Sequence, residues 1–364
     1  MSQSLRFVFG CGGTGGHIIP GIAIALELRK KGCEVLFIGN RGSMESRLVA
    51  AEGFPFREIR VQKLYRKLSL SNLLFPFRLV TSTFAAFNII KGFRPDGVIC
   101  TGGFVSGPVA IASIMRRIPL FFHESNSYPG LTTRRLARYT RVTFTSFAST
   151  AKYLAKTRVE QLGIPLLERG VQEQAPSLAE LGFVANKPIL LVTGGSQGSQ
   201  AINSVVDRAL PRILEKGYQV LWQTGKSGYY SCSQRHKDAQ GVHIFDFSPH
   251  LASFYKLAEV AVTRAGAMTL AELEANQIPS VLVPLPSAAE NHQYFNALEQ
   301  QKRGLALLLG QDKLTPESLL AALDHIRQHY NEYKASLDLP PNRAAADIAS
   351  AILADLDKET HHAG

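Results

Sequence analysis

Four times along this chain an apolar run stops at a glycine-rich turn, and a helical pattern takes over at once. Residues 5–10 open into Gly10-Cys11-Gly12-Gly13-Thr14-Gly15-Gly16-His17, and Gly97–Cys100 into Thr101-Gly102-Gly103-Phe104. Pro188–Thr193 feeds Gly194-Gly195-Ser196-Gln197-Gly198, and Val260–Thr263 feeds Arg264-Ala265-Gly266-Ala267. Short, continuously apolar strands alternating with helices belong to a parallel sheet covered on both faces. In such sheets the turns gather at the carboxyl ends of the strands, where ligands bind. Two turns in each half therefore predict an α/β protein of two Rossmann-like parallel-sheet domains whose loops face a shared cleft.

Other runs fill in the two sheets. Val35–Ile38, Phe56–Val61, Leu120–His123 and Val142–Thr145 read as strands of the first. Tyr218–Gln223, Val242–Phe245, Ser280–Val283 and Leu305–Leu309 belong to the second. The first helix is predicted from about Pro20, where proline suits a first turn, to Gly32. The 364 residues exceed the ~250–300 at which one core stops growing. We place the domains at 1–163 and 164–340, with a helix over 341–357, after Pro340-Pro341, expected to pack back on the first domain.

Charge divides the same way. Residues 1–163 carry 23 Lys and Arg against 8 Asp and Glu, and the rest carries 17 against 21. A basic first half suits a polyanion or an anionic surface, or else a solvated face with no partner. The four cysteines show no paired spacing, which favours a reducing compartment. No signal-peptide core precedes Gly10, and Leu73 to Ile90 is interrupted by Pro76, Arg78 and Asn88, unlike a spanning helix.

Gly10, Gly12 and Gly15 satisfy the dinucleotide-binding spacing, but the next strand ends Ile38-Gly39-Asn40-Arg41 without a carboxylate. Arg41 meeting a 2′-phosphate would leave an NADP-dependent oxidoreductase open.

The ordered motifs extend further: Gly-Gly-Thr-Gly-Gly-His at 12–17, Gly-Gly-Phe-Val-Ser-Gly-Pro at 102–108, His-Glu-Ser-Asn at 123–126 and Gly-Gly-Ser-Gln-Gly at 194–198. Arg-Ala-Gly-Ala-Met-Thr-Leu-Ala-Glu at 264–272 and His-Gln-Tyr-Phe-Asn-Ala at 292–297 follow. Over roughly residues 5–310 the chain resembles the MurG family of N-acetylglucosaminyltransferases of peptidoglycan synthesis. The resemblance implies a GT-B fold, with UDP-N-acetylglucosamine (UDP-GlcNAc) on the second domain and the acceptor on the first. It implies inverting transfer to the 4-hydroxyl of the muramyl sugar of the undecaprenyl-linked acceptor, lipid I, giving lipid II. No cofactor is implied.

By the same resemblance Ala267, Met268, Thr269, Leu270, Ala271 and Glu272 line the nucleotide site, with Glu272 on the ribose hydroxyls. Ser196 contacts phosphate and Gln293 the sugar hydroxyls. Asn126 and the Thr14-Gly15-Gly16 backbone belong to the sugar and acceptor side. Two departures concern the nucleotide. Where the family carries an arginine after the first domain, this chain reads Gly163-Ile164-Pro165-Leu166-Leu167, and Arg169 is the candidate substitute. The uracil-side segment reads Phe247-Ser248-Pro249-His250, with Ser248 in the family's contact position.

Charge on the departing diphosphate can be met by a divalent metal or by fixed N–H dipoles. The one Asp-x-Asp, Asp355-Leu356-Asp357, reads as a solvated helix end, so a metal-independent mechanism is expected. For the general base, His17 closes the first turn with a side chain suited to proton transfer, and Glu124 competes from the end of its strand. A single turn histidine is otherwise more often a structural hydrogen-bonder.

Residues 57–94 carry Arg57, Arg60, Lys63, Arg66, Lys67, Arg78, Lys91 and Arg94 against Glu58, interleaved with Leu64, Leu68, Leu73, Leu74, Phe75, Phe77 and Leu79. That mixture suits peripheral docking on anionic lipid at the cytoplasmic side of the plasma membrane, or a helix packing its apolar face on the sheet. No nucleic-acid recognition module is visible. The rival readings are another GT-B enzyme (a diacylglycerol glycosyltransferase or a UDP-sugar epimerase), the NADP oxidoreductase, and a non-catalytic sugar-nucleotide binder.

Overall fold

The computed structural model describes residues 4–62, 74–154, 156–167, 176–248 and 251–362, the last four by backbone alone. Arg169, Pro249, His250 and the Lys63–Leu73 part of the basic segment lie outside the described residues. The chain divides into two compact units, Met1–Glu168 with Asn342–Gly364, and Arg169–Pro341.

The first unit's strands are β1 (Arg6–Cys11), β2 (Glu34–Asn40), β3 (Phe56–Ile59), β4 (Gly97–Gly102), β5 (Leu120–Glu124), β6 (Val142–Thr145) and β7 (Val159–Gln161). They form one parallel sheet in the order β3-β2-β1-β4-β5-β6-β7. Its helices are α1 (Gly15–Lys30), α2 (Met44–Ala51), α3 (Phe75–Phe93), α4 (Ser106–Arg116) and α5 (Leu131–Leu136).

The second unit continues with strands β8 (Ile189–Thr193), β9 (Gln219–Gln223), β10 (Val242–Phe245), β11 (Val260–Thr263), β12 (Ser280–Leu282) and β13 (Ala306–Leu308). These are also all parallel, in the order β10-β9-β8-β11-β12-β13. Helices α6 (Gln200–Glu215), α7 (Lys226–Arg235), α8 (Leu251–Tyr255), α9 (Ala267–Ala275), α10 (His292–Lys302), α11 (Pro316–Gln328) and α12 (Tyr330–Ser336) cover the second sheet, and α13 (Ala344–His362) ends the chain.

Each sheet is apolar on both faces because helices bury both, as the continuous runs predict. Phe7, Phe9 and Phe37 pack toward α1 on one face, while Val8, Val98 and Cys100 pack toward α3 and α4 on the other. Helix α13 adds Ile348, Ala349 and Ile352 to the core under α1. The Asp-x-Asp is therefore no solvated helix end. Leu356 is buried in that core, and Asp355 pairs with Arg158 at 3.3 Å.

Two expectations change in detail. Helix α1 begins five residues before Pro20, at Gly15, with His17 N–H and Ile18 N–H both donating to Thr14 O. Proline inside a helix leaves a carbonyl one turn back without its donor. Here Ser125 Oγ reaches that carbonyl, Gly16 O, at 3.4 Å, and Thr101 Oγ1 donates to the adjacent His17 O at 2.6 Å. Ser125 thus supplies what Pro20 cannot, and Thr101 adds a second tie to the same turn of helix. The second change is α3, which turns Ser82, Thr83, Ala86 and Ile90 inward and leaves Phe77 69% and Phe84 56% exposed. Its apolar side chains divide: Ile90 is buried and Phe87, Ile89 and Phe93 pack half-buried against the core, while Phe77, Val80 and Phe84 face solvent. Among the described residues no helix is long and apolar enough to cross a membrane.

Candidate active site

In the first unit the turns after β1 and β4 interlock. Gly102 and Gly103 have φ of +104° and +80°, and a Cβ on Gly103 would lie 1.8 Å from Gly12 O. A Cβ on Gly102 would lie 2.6 Å from His17 Nδ1, so the imidazole rests on that turn. Only glycine allows this approach. Ser106 Oγ accepts Gly102 N–H at 3.0 Å and sits 2.8 Å from Gly10 O, tying the two turns together. Thr14 N-caps α1 without a side-chain bond, and no acidic residue occupies the first turn, so the Gly15 and Gly16 amides at its start lack intrahelical partners.

The loop after β5 completes this edge. Glu124 is buried and saturated: Oε1 accepts from Asn126 N–H at 3.1 Å and Asn126 Nδ2 at 3.2 Å. Oε2 accepts from Gly130 N–H at 3.0 Å and Thr133 Oγ1 at 2.8 Å. This carboxylate shapes the loop that presents Asn126. His123, which the motif included without a role, is buried with Nε2 3.1 Å from Gly163 O. Burial drives its pKa down to about 4, so it is neutral near pH 7.

The supports of a dinucleotide reading are engaged otherwise. Glu45, on the first turn of α2, folds back so that Oε1 accepts Asn40 N–H at 3.1 Å. It packs so closely on Gly12 that a Cβ there would lie 2.7 Å from Oε1. The carboxylate absent from the end of β2 thus arrives from α2 and fills the space beside the glycine turn. Arg41 is paired with Glu58 at 3.5 Å.

In the second unit the same device recurs. Gly195 and Gly198 have φ of +83° and +74°, and a Cβ on Gly198 would lie 2.1 Å from Thr224 O. Ser196 stands exposed at the tip. Helix α9 starts at Gly266 with no capping side chain and no acidic residue in its first turn, so the Ala267, Met268 and Thr269 amides lack intrahelical partners. Leu270 N–H is already bonded to Gly266 O, and the side chains of Leu270 and Ala271 are buried in the core. Those two residues support the helix; the first three amides are what α9 presents.

Arg264 is the strongest feature that sequence reading did not single out. Its buried guanidinium donates to Val283 O at 3.0 Å, Pro284 O at 3.1 Å, Ser199 Oγ at 2.7 Å and Gln311 Oε1 at 2.7 Å. All four acceptors are neutral, so its positive charge adds to the field at the starts of α6 and α9. Burial lowers its pKa from the usual arginine range.

Glu272, half-buried on α9, faces Tyr255, whose acidity is suppressed first by burial and then by the Glu272 charge. Gln293 Oε1 accepts Leu285 N–H at 2.9 Å, which commits the carbonyl end of the amide and fixes the side chain as a donor. Asn296 Nδ2 donates to Ala265 O at 3.2 Å, joining α10 to the α9 turn. Ser248 is half-buried beside exposed Phe247. Ser196, the α9 start and Gln293 thus share one edge of the second sheet. His17, Asn126 and the Gly102-Gly103 turn share one edge of the first.

Two Rossmann-like units, each opening glycine-rich turns and uncapped helix starts at its sheet edge, define a glycosyltransferase of the GT-B class. Residues 7–145 match the glycosyltransferase family 28 N-terminal domain and residues 189–352 the glycosyltransferase family 28 C-terminal domain. The chain belongs to glycosyltransferase family 28. A Thermoanaerobacter sp. protein is 36% identical over 331 residues, covering 88% of this chain and 91% of that protein. It is named UDP-N-acetylglucosamine–N-acetylmuramyl-(pentapeptide) pyrophosphoryl-undecaprenol N-acetylglucosamine transferase. A protein of the same name from Lactobacillus gasseri is 32% identical, covering 97% of this chain and 98% of its own. The crystal structure of Acinetobacter baumannii MurG superposes with a TM-score of 0.78 at 27% identity, covering 96% of this chain and 99% of that one.

Proposed function

We propose that this protein transfers N-acetylglucosamine from UDP-GlcNAc to the 4-hydroxyl of the muramyl sugar of lipid I, forming lipid II for peptidoglycan. The observation that carries the reading is the electropositive edge of the second unit: the free α9 amides beside a guanidinium facing only neutral acceptors. Such a site favours the charge that accumulates on a departing diphosphate. The reaction breaks the anomeric carbon–phosphate oxygen bond and forms the new glycosidic bond with inversion. The hydroxyl proton passes to a base, and UDP departs with the electron pair.

The roles follow from what each group has to offer. Ser196 and the Ala267, Met268 and Thr269 amides hold the diphosphate, with Ser248 on the uracil side. Glu272 accepts from the ribose hydroxyls, and Gln293 donates to the sugar. Thr14, Gly15, Gly16 and Asn126 hold the acceptor side. Because Glu124 is saturated by its own loop, His17 is the base.

Fixed dipoles and Arg264 do the electrostatic work in this scheme, so no divalent cation is called on. Labelled sugar is expected to move from UDP-GlcNAc to a lipid I analogue equally well with and without EDTA. Loss of transfer in EDTA would overturn the metal-free mechanism, and no transfer in either condition the acceptor assignment. Glu272→Ala is expected to raise the donor KM about tenfold with the acceptor KM unchanged.

The first unit is proposed to dock peripherally on the anionic cytoplasmic face of the plasma membrane through α3. Phe77, Val80 and Phe84 form an exposed stripe at spacings of three and four residues, with Arg78 and Lys91 exposed on the same helix. Each phenylalanine moved into lipid gains about 1.5–3 kcal/mol, and each nearby cation about 1 kcal/mol. Phe77→Asp with Phe84→Asp is expected to abolish flotation with anionic vesicles while transfer to a water-soluble acceptor continues. Flotation as strong as that of the unmutated protein would remove α3 as the docking element.

A further inference from the structure

We infer that Gln223 is a positioning residue for the Gly194–Gly198 turn, acting on the donor through the backbone it braces. The inference rests on the reading of that turn as the diphosphate site. Gln223 ends β9 in register with Thr193 of β8 and is fully buried. Its amide nitrogen donates to Thr193 Oγ1 at 3.2 Å and to Gly195 O at 3.1 Å. Thr193 Oγ1 in turn accepts Gly195 N–H at 3.1 Å. Gln223 therefore holds the carbonyl of Gly195 directly and its N–H through Thr193 Oγ1, and Gly195 is the left-handed residue that precedes Ser196.

The energetics of this brace run against stability. Gln223 Oε1 is buried with no hydrogen-bond partner among the described residues. Turning the amide over would offer that oxygen the Thr193 hydroxyl but would set it against Gly195 O, acceptor against acceptor. Gly195 O holds the observed orientation, yet it also accepts Gly198 N–H at 2.9 Å and would not be orphaned without Gln223. Burying an unpaired acceptor is unfavourable, and an apolar side chain of similar length would avoid it. A buried amide whose nitrogen is committed to the turn while its oxygen finds no partner among the described residues fits a role in what the turn must do. Its task is to hold the Ser196 hydroxyl and the following amides in one orientation before the donor arrives.

Gln223→Met separates the two roles, since it fills the space without donating. It is expected to speed amide exchange at Gly195–Gly198 and to raise the KM for UDP-GlcNAc about tenfold. The acceptor KM should be unchanged and Tm unchanged or higher. Gln223→Leu also has no donor for Gly195 O, and should raise the donor KM at least as much. An unaltered donor KM in Gln223→Met overturns the proposal, even with faster turn exchange. So does a fall in Tm with exchange rising across the whole second sheet, which marks a packing residue. The donor reading is tested separately: if UDP fails to raise the Tm of the unmutated protein, that reading fails, while the exchange change at the turn still reports the brace.

Discussion

Replacing His17 with alanine is expected to lower kcat by about 10²–10⁴-fold, the usual contribution of a positioned base. The KM for UDP-GlcNAc should change little, because that ligand is assigned to the other unit. The imidazole lies against Gly102, and its own carbonyl is held by Thr101 Oγ1 at 2.6 Å, so backbone and ring are fixed together. A sugar hydroxyl is far too weak an acid to lose its proton unaided near pH 7, and His17 is the side chain proposed to take it. Glu124→Gln gives the contrast. Its nitrogen end cannot accept from the Asn126–Thr133 loop, so it should weaken acceptor KM and stability more than kcat. Near-normal kcat for His17→Ala at saturating acceptor would discard the base assignment.

Arg264→Met is expected to destabilise the second unit by about 2–4 kcal/mol, because Ser199 Oγ, Gln311 Oε1 and two carbonyls lose a shared donor in a buried setting. Donor affinity should fall about 10–100-fold, since the same change removes a positive charge next to the α9 amides. Arg264→Lys separates the two effects. The ammonium restores the charge but cannot span four acceptors, so donor binding should recover further than stability. Urea unfolding and UDP titration read the two quantities, and an unchanged unfolding midpoint in Arg264→Met would show that the four-way brace is not what holds these loops.

Much of the architecture was legible because its signals are short. A continuous apolar run followed by a glycine-bearing turn announces a buried parallel strand and its turn within ten residues, and all four turns are where that pattern put them. The first helix was misplaced by five residues because Pro20 reads locally as a start. The donor that meets the carbonyl it leaves open, Ser125, is about a hundred positions away. The three-residue strand β7 was missed for a similar reason, since it has too few apolar residues to stand out.

The candidate site divides along the same line. Ser196, Thr14 and Glu272 lie in motifs where identity and spacing carry the signal. Gln223 and Glu45 stand in unremarkable local sequence, and Arg264 opens the 264–272 motif without showing its task there; each is given its role by partners from other strands or helices. For α3 the sequence reading named Phe77 but neither Val80 nor Phe84, and composition gave no direction, because these side chains could have faced the sheet as readily as solvent.

By itself, then, the sequence determined two parallel α/β units, their glycine turns and the side chains standing on those turns, since glycine torsions and apolar periodicity act over a few residues. Only the tertiary structure decided which carboxylates are consumed internally, which cation lies beside the α9 amides, and which face of α3 meets solvent. Those outcomes depend on hydrogen bonds and packing between distant segments, and such pairings exist only once the sheets have brought them together.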